Sequence, residues 1–273
     1  VNCLNKDLTF EDNLNMDLQY ADDTTLIASI FELLQLSTTQ LEKSCEKFGM
    51  KVNADKCKLF TEDQRNIILD GLAIEKANSF VFLGSQVPGT SNDVKRRIAL
   101  AANAFGNLKK TLWSRKDAGI KNKLRLFYAL IVPIAIYASE TWALTKEDTR
   151  ALKVFENNCL RTILGFTRLD RIPISRLHKM TGRSYDIEVM IRKRRLTWFG
   201  HMCRLSDDNL VRKSMKGDFK NARGRGRPPK RWTDLIKEDT ALPIATAEKY
   251  AKDRIKWRRL VDTKWCKAST GVC

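Results

Sequence analysis

Histidine is nearly absent from this chain, with two in 273 residues, and its seven cysteines contain no Cys-x-x-Cys pair. Cys3, Cys45, Cys57, Cys159, Cys203, Cys266 and Cys273 are odd in number and widely scattered, which argues against a disulfide framework or a zinc finger. Cys203 lies two residues after His201, but no second pair completes a tetrahedral ligand set. Reduced thiols in an intracellular compartment are the economical expectation. Long apolar runs are missing too. Leu130 to Ala138 is apolar but short and interrupted by Pro133, far from the roughly 20 residues a membrane helix requires. The start, Val1-Asn2-Cys3, has neither an initiator Met nor a signal-peptide pattern, so a piece of a longer protein is expected.

Charge is plentiful and unevenly placed. Residues 1–90 hold 8 Lys and Arg against 14 Asp and Glu, whereas residues 91–273 hold 42 against 18. An acidic segment followed by a strongly basic one suits a metal-binding site beside a surface for polyphosphate. The excess is concentrated in residues 158–237, with 21 basic against 7 acidic side chains and Trp198, Phe199 and Trp232 interleaved.

Leu14, Met16, Leu18 and Tyr20 alternate with Asn15, Asp17 and Gln19, the period of a half-buried strand, and Thr24-Thr25-Leu26-Ile27 is β-prone again. Tyr20-Ala21-Asp22-Asp23 therefore falls at a hairpin tip. Two adjacent carboxylates there read either as a solvated turn or as ligands for a divalent cation such as Mg²⁺. A helix over about 31–48 follows, stopped by Gly49, then a strand at 50–53 or 57–60, and short strands at 67–69, 72–74 and 80–83.

From Ser91 the period changes to three or four. Val94, Ile98, Ala101, Phe105, Leu108 and Leu112 predict a helix whose outer face carries Lys95, Arg96, Arg97, Lys109 and Lys110. Further helices are predicted at about 120–131, 146–164 with Thr145 as cap and Gly165 as stop, 185–204 and 246–265. Arg223 to Arg231, with its Gly/Arg alternation and Pro228-Pro229, reads as a flexible basic arm.

In this order the motifs resemble the second half of a reverse transcriptase from a non-LTR retrotransposon, of the RTE/jockey-like long interspersed element type. Tyr20-Ala21-Asp22-Asp23 resembles the YxDD hairpin, Gly49 to Lys56 the G-L-x-x-N-x-x-K palm motif, and Phe82-Leu83-Gly84-Ser85 the primer-grip turn. Glu140-Thr141-Trp142, Leu160-Arg161 with Ile163-Leu164-Gly165, Trp198-Phe199-Gly200-His201 with Arg204, and Gly226-Arg227-Pro228 with Arg231-Trp232 and Asp234 resemble the thumb and C-terminal signatures. The resemblance implies an α+β fold. A partial palm of β-hairpin, helix and strands would occupy 1–88, a mostly α-helical thumb 89–170, and a basic nucleic-acid-binding region 171–273 with its arm at 220–231.

It also implies RNA-directed DNA polymerase chemistry, in which carboxylates clamp two Mg²⁺ ions for nucleotidyl transfer. Asp22 would be the direct metal ligand with Asp23 beside it. Tyr20 either packs near the primer terminus or fills the strand's core face. Lys56 either places a cation beside the triphosphate or protonates pyrophosphate, as the resemblance implies, or is a solvated strand-end lysine. Phe82, Leu83 and Gly84 would meet the primer. Arg195, Trp198, His201, Arg204, Arg225, Arg227, Lys230 and Arg231 would contact nucleic acid, although His201 reads equally as a packed core residue. Arg225-Gly226-Arg227-Pro228 resembles an AT-hook core and reads equally as a nuclear-localisation patch or a solvated linker. The implied partners are an RNA template and a DNA primer or target, with dNTP as the small molecule, no membrane, and a nuclear location. Only nineteen residues precede Tyr20, too few for the family's fingers and its earlier palm aspartate. The chain by itself is therefore expected not to polymerise DNA, and the alternative is a non-catalytic nucleic-acid-binding remnant of the same element.

Overall fold

In the computed structural model, which describes residues 15–167, 169–182, 186–216 and 230–267, the chain divides between Phe82 and Leu83 into two units. The whole is mixed α and β, with helix dominating. Among the described residues no helix is long and apolar enough to cross a membrane.

In the first unit, β1 (Asn15–Tyr20) pairs antiparallel with β2 (Asp23–Ala28) in a register that sets Tyr20 opposite Asp23. A two-residue loop, Ala21-Asp22, closes the ribbon, and Ala21 takes φ 52°, as tight primed hairpin turns require. Helix α1 (Phe31–Glu46) packs against the ribbon, and Gly49 at φ 68° turns the chain out of the helix.

Four short strands follow: β3 (Lys58–Leu59), β4 (Ile68–Leu69), β5 (Leu72–Ala73) and β6 (Glu75–Lys76). β4 and β5 form a hairpin over Asp70-Gly71, both left-handed, while β3 pairs parallel with β6. Leu59, Ile67, Leu69 and Ile74 make a small core against Phe31 and Leu34 of α1. The Gln35 side-chain amide fixes α1 to β4 by donating to the Ile68 carbonyl and accepting from its N–H, both at 2.9 Å. β7 (Phe80–Phe82) ends the unit.

The second unit begins with the left-handed pair Leu83-Gly84 and β8 (Ser85–Val87), then α2 (Thr90–Asn107). The expected run to Leu112 is broken, since residues 109–113 widen into a π-type turn. Beyond it lie α3 (Ile120–Leu126), a second π-type stretch over 127–131, and α4 (Val132–Ala135). Pro133 donates no N–H, which leaves the preceding turn without a regular partner and favours such widening. α5 (Lys146–Leu164) starts and stops as the sequence predicts. Thr145 Oγ1 accepts from the Asp148 N–H, Asp148 returns the bond to Thr145 N–H, and Gly165 is left-handed.

α6 (Ile174–Thr181), α7 (Ile187–Cys203), α8 (Leu210–Lys216), α9 (Trp232–Thr240), α10 (Ile244–Lys252) and α11 (Arg254–Lys267) complete the described chain. The single helix expected over 246–265 is two, because Asp253 leaves the helical conformation and its Oδ1 caps α11 by accepting from Ile255 and Lys256 N–H at 3.0 Å. Two hydrophobic cores result. Val94, Phe105, Phe127, Leu152 and Leu160 belong to one, and Phe199, Ile236, Ala251 and Trp257 to the other. α7 joins them, giving Ile187 and Ile191 to the first and Leu196, Phe199 and Cys203 to the second.

Candidate functional site

The β1–β2 turn presents Asp22 at its tip and Asp23 at the start of β2, both exposed, with Tyr20 66% exposed on the opposite strand. Tyr20 is therefore not a core residue. Asp22 and Asp23 supply the hard oxygen donors that Mg²⁺ takes, commonly one or two carboxylates completed by substrate phosphates. Among the described residues no group of three His, Cys, Asp or Glu side chains could hold a metal ion, so the pair is not joined by a third protein ligand there. Lys56 is exposed at the end of a one-turn 3-10 helix, Ala54–Lys56, which Asn53 caps by accepting from the Asp55 N–H at 2.9 Å.

Phe82 is half-buried at the end of β7. In the second unit the backbone of Leu83-Gly84 is gripped from three sides. Tyr137 Oη donates to the Leu83 carbonyl at 2.8 Å, Arg96 Nη1 donates to the Gly84 carbonyl at 2.7 Å, and Arg97 donates to the same oxygen. Arg97 also lies over the Tyr137 ring at 4.1 Å, a cation–π contact. Gly84 fits where a side chain would not, since an added Cβ would come to 3.0 Å from Arg97 Nη2, at φ 83°. Arg97, expected on the basic outer face of α2, is thus buried at 7% exposure, and burial lowers its pKa. Beneath the grip, the buried Asp93 carboxylate accepts from Gln86 N–H and from Trp142 Nε1, both at 2.9 Å.

On α7 the predicted residues separate. Arg195 is 2% exposed, and its Nη1 pairs with Asp239 of α9 at 3.0 Å, so it is an internal ion pair and not a surface contact for nucleic acid. The reason is helical phase: Arg195 shares the inward side of α7 with Phe199 and Met202, where a cation requires a partner. Half-buried Trp198 stacks on exposed His201, with ring centroids 5.3 Å apart and planes 26° from parallel. His201 is exposed, which removes the packed-core reading. Arg204 is exposed and donates to the Ala251 carbonyl at 2.8 Å.

Lys230 pairs with Glu238 at 2.6 Å, and the exposed Arg231 receives the Asp234 cap on its N–H. Trp232 donates to the Glu140 carbonyl at 2.8 Å and packs on Phe199, so this signature tryptophan ties α9 to the segment 139–141. Arg225 and Arg227, with the AT-hook-like core and most of the predicted arm, lie outside the described residues.

Trp198, His201 and Arg204 thus leave a partly exposed aromatic-basic face on α7, while Trp232 is turned into the scaffold. The chain is similar to a transposon-derived protein. That relative, an uncharacterised protein of Caenorhabditis elegans, is 26% identical over 277 residues, covering 90% of this chain and 94% of its own length. The likeness points to a transposable-element origin. No family profile matches the chain, and no solved structure matches it.

Arg96, Arg97 and Tyr137 were not legible as site residues. Their only signal was Arg96-Arg97 seven residues after the helix-opening turn, and the grip depends on Tyr137, more than 50 residues away from Leu83.

Proposed function

We propose that the chain derives from the reverse transcriptase of a non-LTR retrotransposon and acts as a nucleic-acid-binding protein, with two-metal nucleotidyl transfer belonging to the full-length parent. The observation that carries the reading is the β1–β2 ribbon. Its two-residue turn sets Asp22 and Asp23 side by side and exposed, ahead of a helix and of the clamped Leu83-Gly84 turn. The transposon-derived relative supports it from outside the chain. When bound, Mg²⁺ would supply charge neutralisation of the triphosphate and activation of the primer hydroxyl, and Asp22 and Asp23 would hold it.

The test is a template–primer assay on the purified chain in Mg²⁺, with binding and extension read separately. Binding is expected at about 50 mM salt and should weaken steeply as salt rises. No extension is expected from the chain alone. Extension abolished by Asp22→Asn would overturn the non-catalytic part of the reading and restore the polymerase. Absence of binding to RNA, DNA and their hybrid at low salt would overturn the proposal as a whole.

A further inference from the structure

α7 and α11 run antiparallel and touch where Lys193, Leu196 and Gly200 meet Trp257 and Asp262. Lys193 pairs with Asp262 at 3.0 Å near one end, Trp257 Nε1 donates to the Leu196 carbonyl at 2.8 Å in the middle, and Arg204 reaches the Ala251 carbonyl just before α11 begins. Spacing by four puts Arg254, Arg258 and Asp262 on one side of α11, the side that meets Lys193. On α7, Lys193, Thr197 and Arg204 form the stripe beside α11, and His201 with Trp198 lie on that stripe's far flank.

Four cations therefore border one interhelical surface. Lys193 and Arg258 share the Asp262 carboxylate, the latter at 3.9 Å, and their side chains remain 55% and 86% exposed. Arg204 and Arg254 are exposed as well. From Lys193 to Arg204 the track extends about 16 Å at the helical rise of 1.5 Å per residue.

We propose that this α7–α11 surface is a track for single-stranded nucleic acid, with phosphates along Lys193, Arg204, Arg254 and Arg258 and an unpaired base on the Trp198–His201 stack. Charge complementarity selects a polyanion. The aromatic pair selects unpaired bases, because an accessible aromatic ring gives a base a face to stack on, and the bases of a closed duplex are already stacked on one another. The inference rests on the nucleic-acid-binding reading above and adds to it a location and a strand preference, with Arg254 and Arg258 as contacts.

The experiment is fluorescence anisotropy of the full chain with a labelled oligouridylate, titrated with salt and competed with duplex DNA. The double variant Arg254→Ala/Arg258→Ala should give a log–log salt slope shallower by about 1.4, at roughly 0.7 per phosphate lost on a single strand. Trp198→Ala should weaken binding about five- to hundredfold, and Trp198→Phe should recover most of it. Thermal melting of each variant checks that it is folded, and the exposed arginines can be replaced by Gln if the double variant is not. Wild-type binding with an unchanged slope in the folded double variant would overturn the track while leaving nucleic-acid binding intact. Equal competition by duplex, nucleotide for nucleotide, would overturn the single-strand preference. A wild-type chain that binds no nucleic acid would instead sink the underlying functional reading.

Discussion

Trp257 lies so close to Gly200 that a β-carbon at position 200 would meet its indole at 2.4 Å. The indole is 3% exposed and fixed by its bond to the Leu196 carbonyl, so it cannot swing aside cheaply. Gly200→Ala should therefore cost about 1–3 kcal/mol, the usual penalty for overpacking, read as a lower denaturation midpoint of the second unit. Gly106→Ala is the control. Nothing lies within 4 Å of a Cβ there, so the helix-propensity gain of about 0.5–1 kcal/mol should appear instead. Equal effects at the two positions would refute the packing account.

Arg195 and Asp239 make the second unit dependent on a buried charge pair. Burial works against ionisation on both sides, lowering the pKa of Arg195 and raising that of Asp239, and Arg192 adds a further contact to Asp239 at 3.5 Å. Asp239→Asn should destabilise by about 3–5 kcal/mol, since it leaves a guanidinium buried without its counter-charge. The joint replacement Arg195→Met/Asp239→Leu should recover most of that loss. Denaturant unfolding of the three variants checks the ordering, and a double variant as unstable as Asp239→Asn would contradict it.

The hairpin and the limits of α5 are legible because local rules decide them. Thr145 and Gly165 mark their helix ends without help from the rest of the fold. What was not legible depends on distant partners. Arg195 reads as a surface cation until Asp239, 44 residues later, is brought beside it. Lys123 likewise sits at 6% exposure because the Trp113 and Arg115 carbonyls accept its ammonium at 2.8 and 2.5 Å. Several signature residues prove to be scaffold: Trp142 serves Asp93, Gly200 admits Trp257, and Trp232 reaches Glu140. Of the candidate site, the Asp22-Asp23 turn was visible in sequence and the α11 cations were not, since their value comes from facing α7.

Tyr137→Phe removes one hydrogen bond to the Leu83 carbonyl while keeping the ring under Arg97. A loss of about 0.5–1.5 kcal/mol is expected, and hydrogen exchange at Ser85 and Gln86 should accelerate. Gly84→Ala should be worse, because it combines left-handed strain with the 3.0 Å approach of Arg97. If the two variants exchange like the wild type, the three-sided grip does not hold the turn.

In the first unit the Asp63 carboxyl is held down to about 2, first by hydrogen bonds from the Arg65 side chain and then by its backbone N–H. A depressed carboxylate contributes stability that is present above its ordinary value near 3.8 and lost as pH falls toward 2. Asp63→Asn should therefore unfold earlier than wild type at pH 6, and the gap between them should close as pH drops from about 4 to about 2. A gap that stays constant across that window would show that Asp63 acts through packing and not through its charge.

Cys159 is 4% exposed, and burial, reinforced by the nearby Glu156 carboxylate, pushes its thiol up to about 12. Thiolate is the reactive species, so at pH 8 this cysteine should resist alkylation almost completely in the folded protein. Cys45 and Cys57 are only partly covered, and although burial also raises the Cys57 thiol, reagent can reach both. Among these four cysteines, peptide-resolved iodoacetamide labelling should therefore modify Cys45 and Cys57 first, and Cys159 together with buried Cys203 only when denaturant unfolds the second unit. Because Cys159 belongs to the first hydrophobic core of that unit and Cys203 to the second, simultaneous exposure would mean that α7 couples the two cores into one cooperative transition. Earlier exposure of Cys203 would instead show that the core carrying the proposed nucleic-acid track opens on its own.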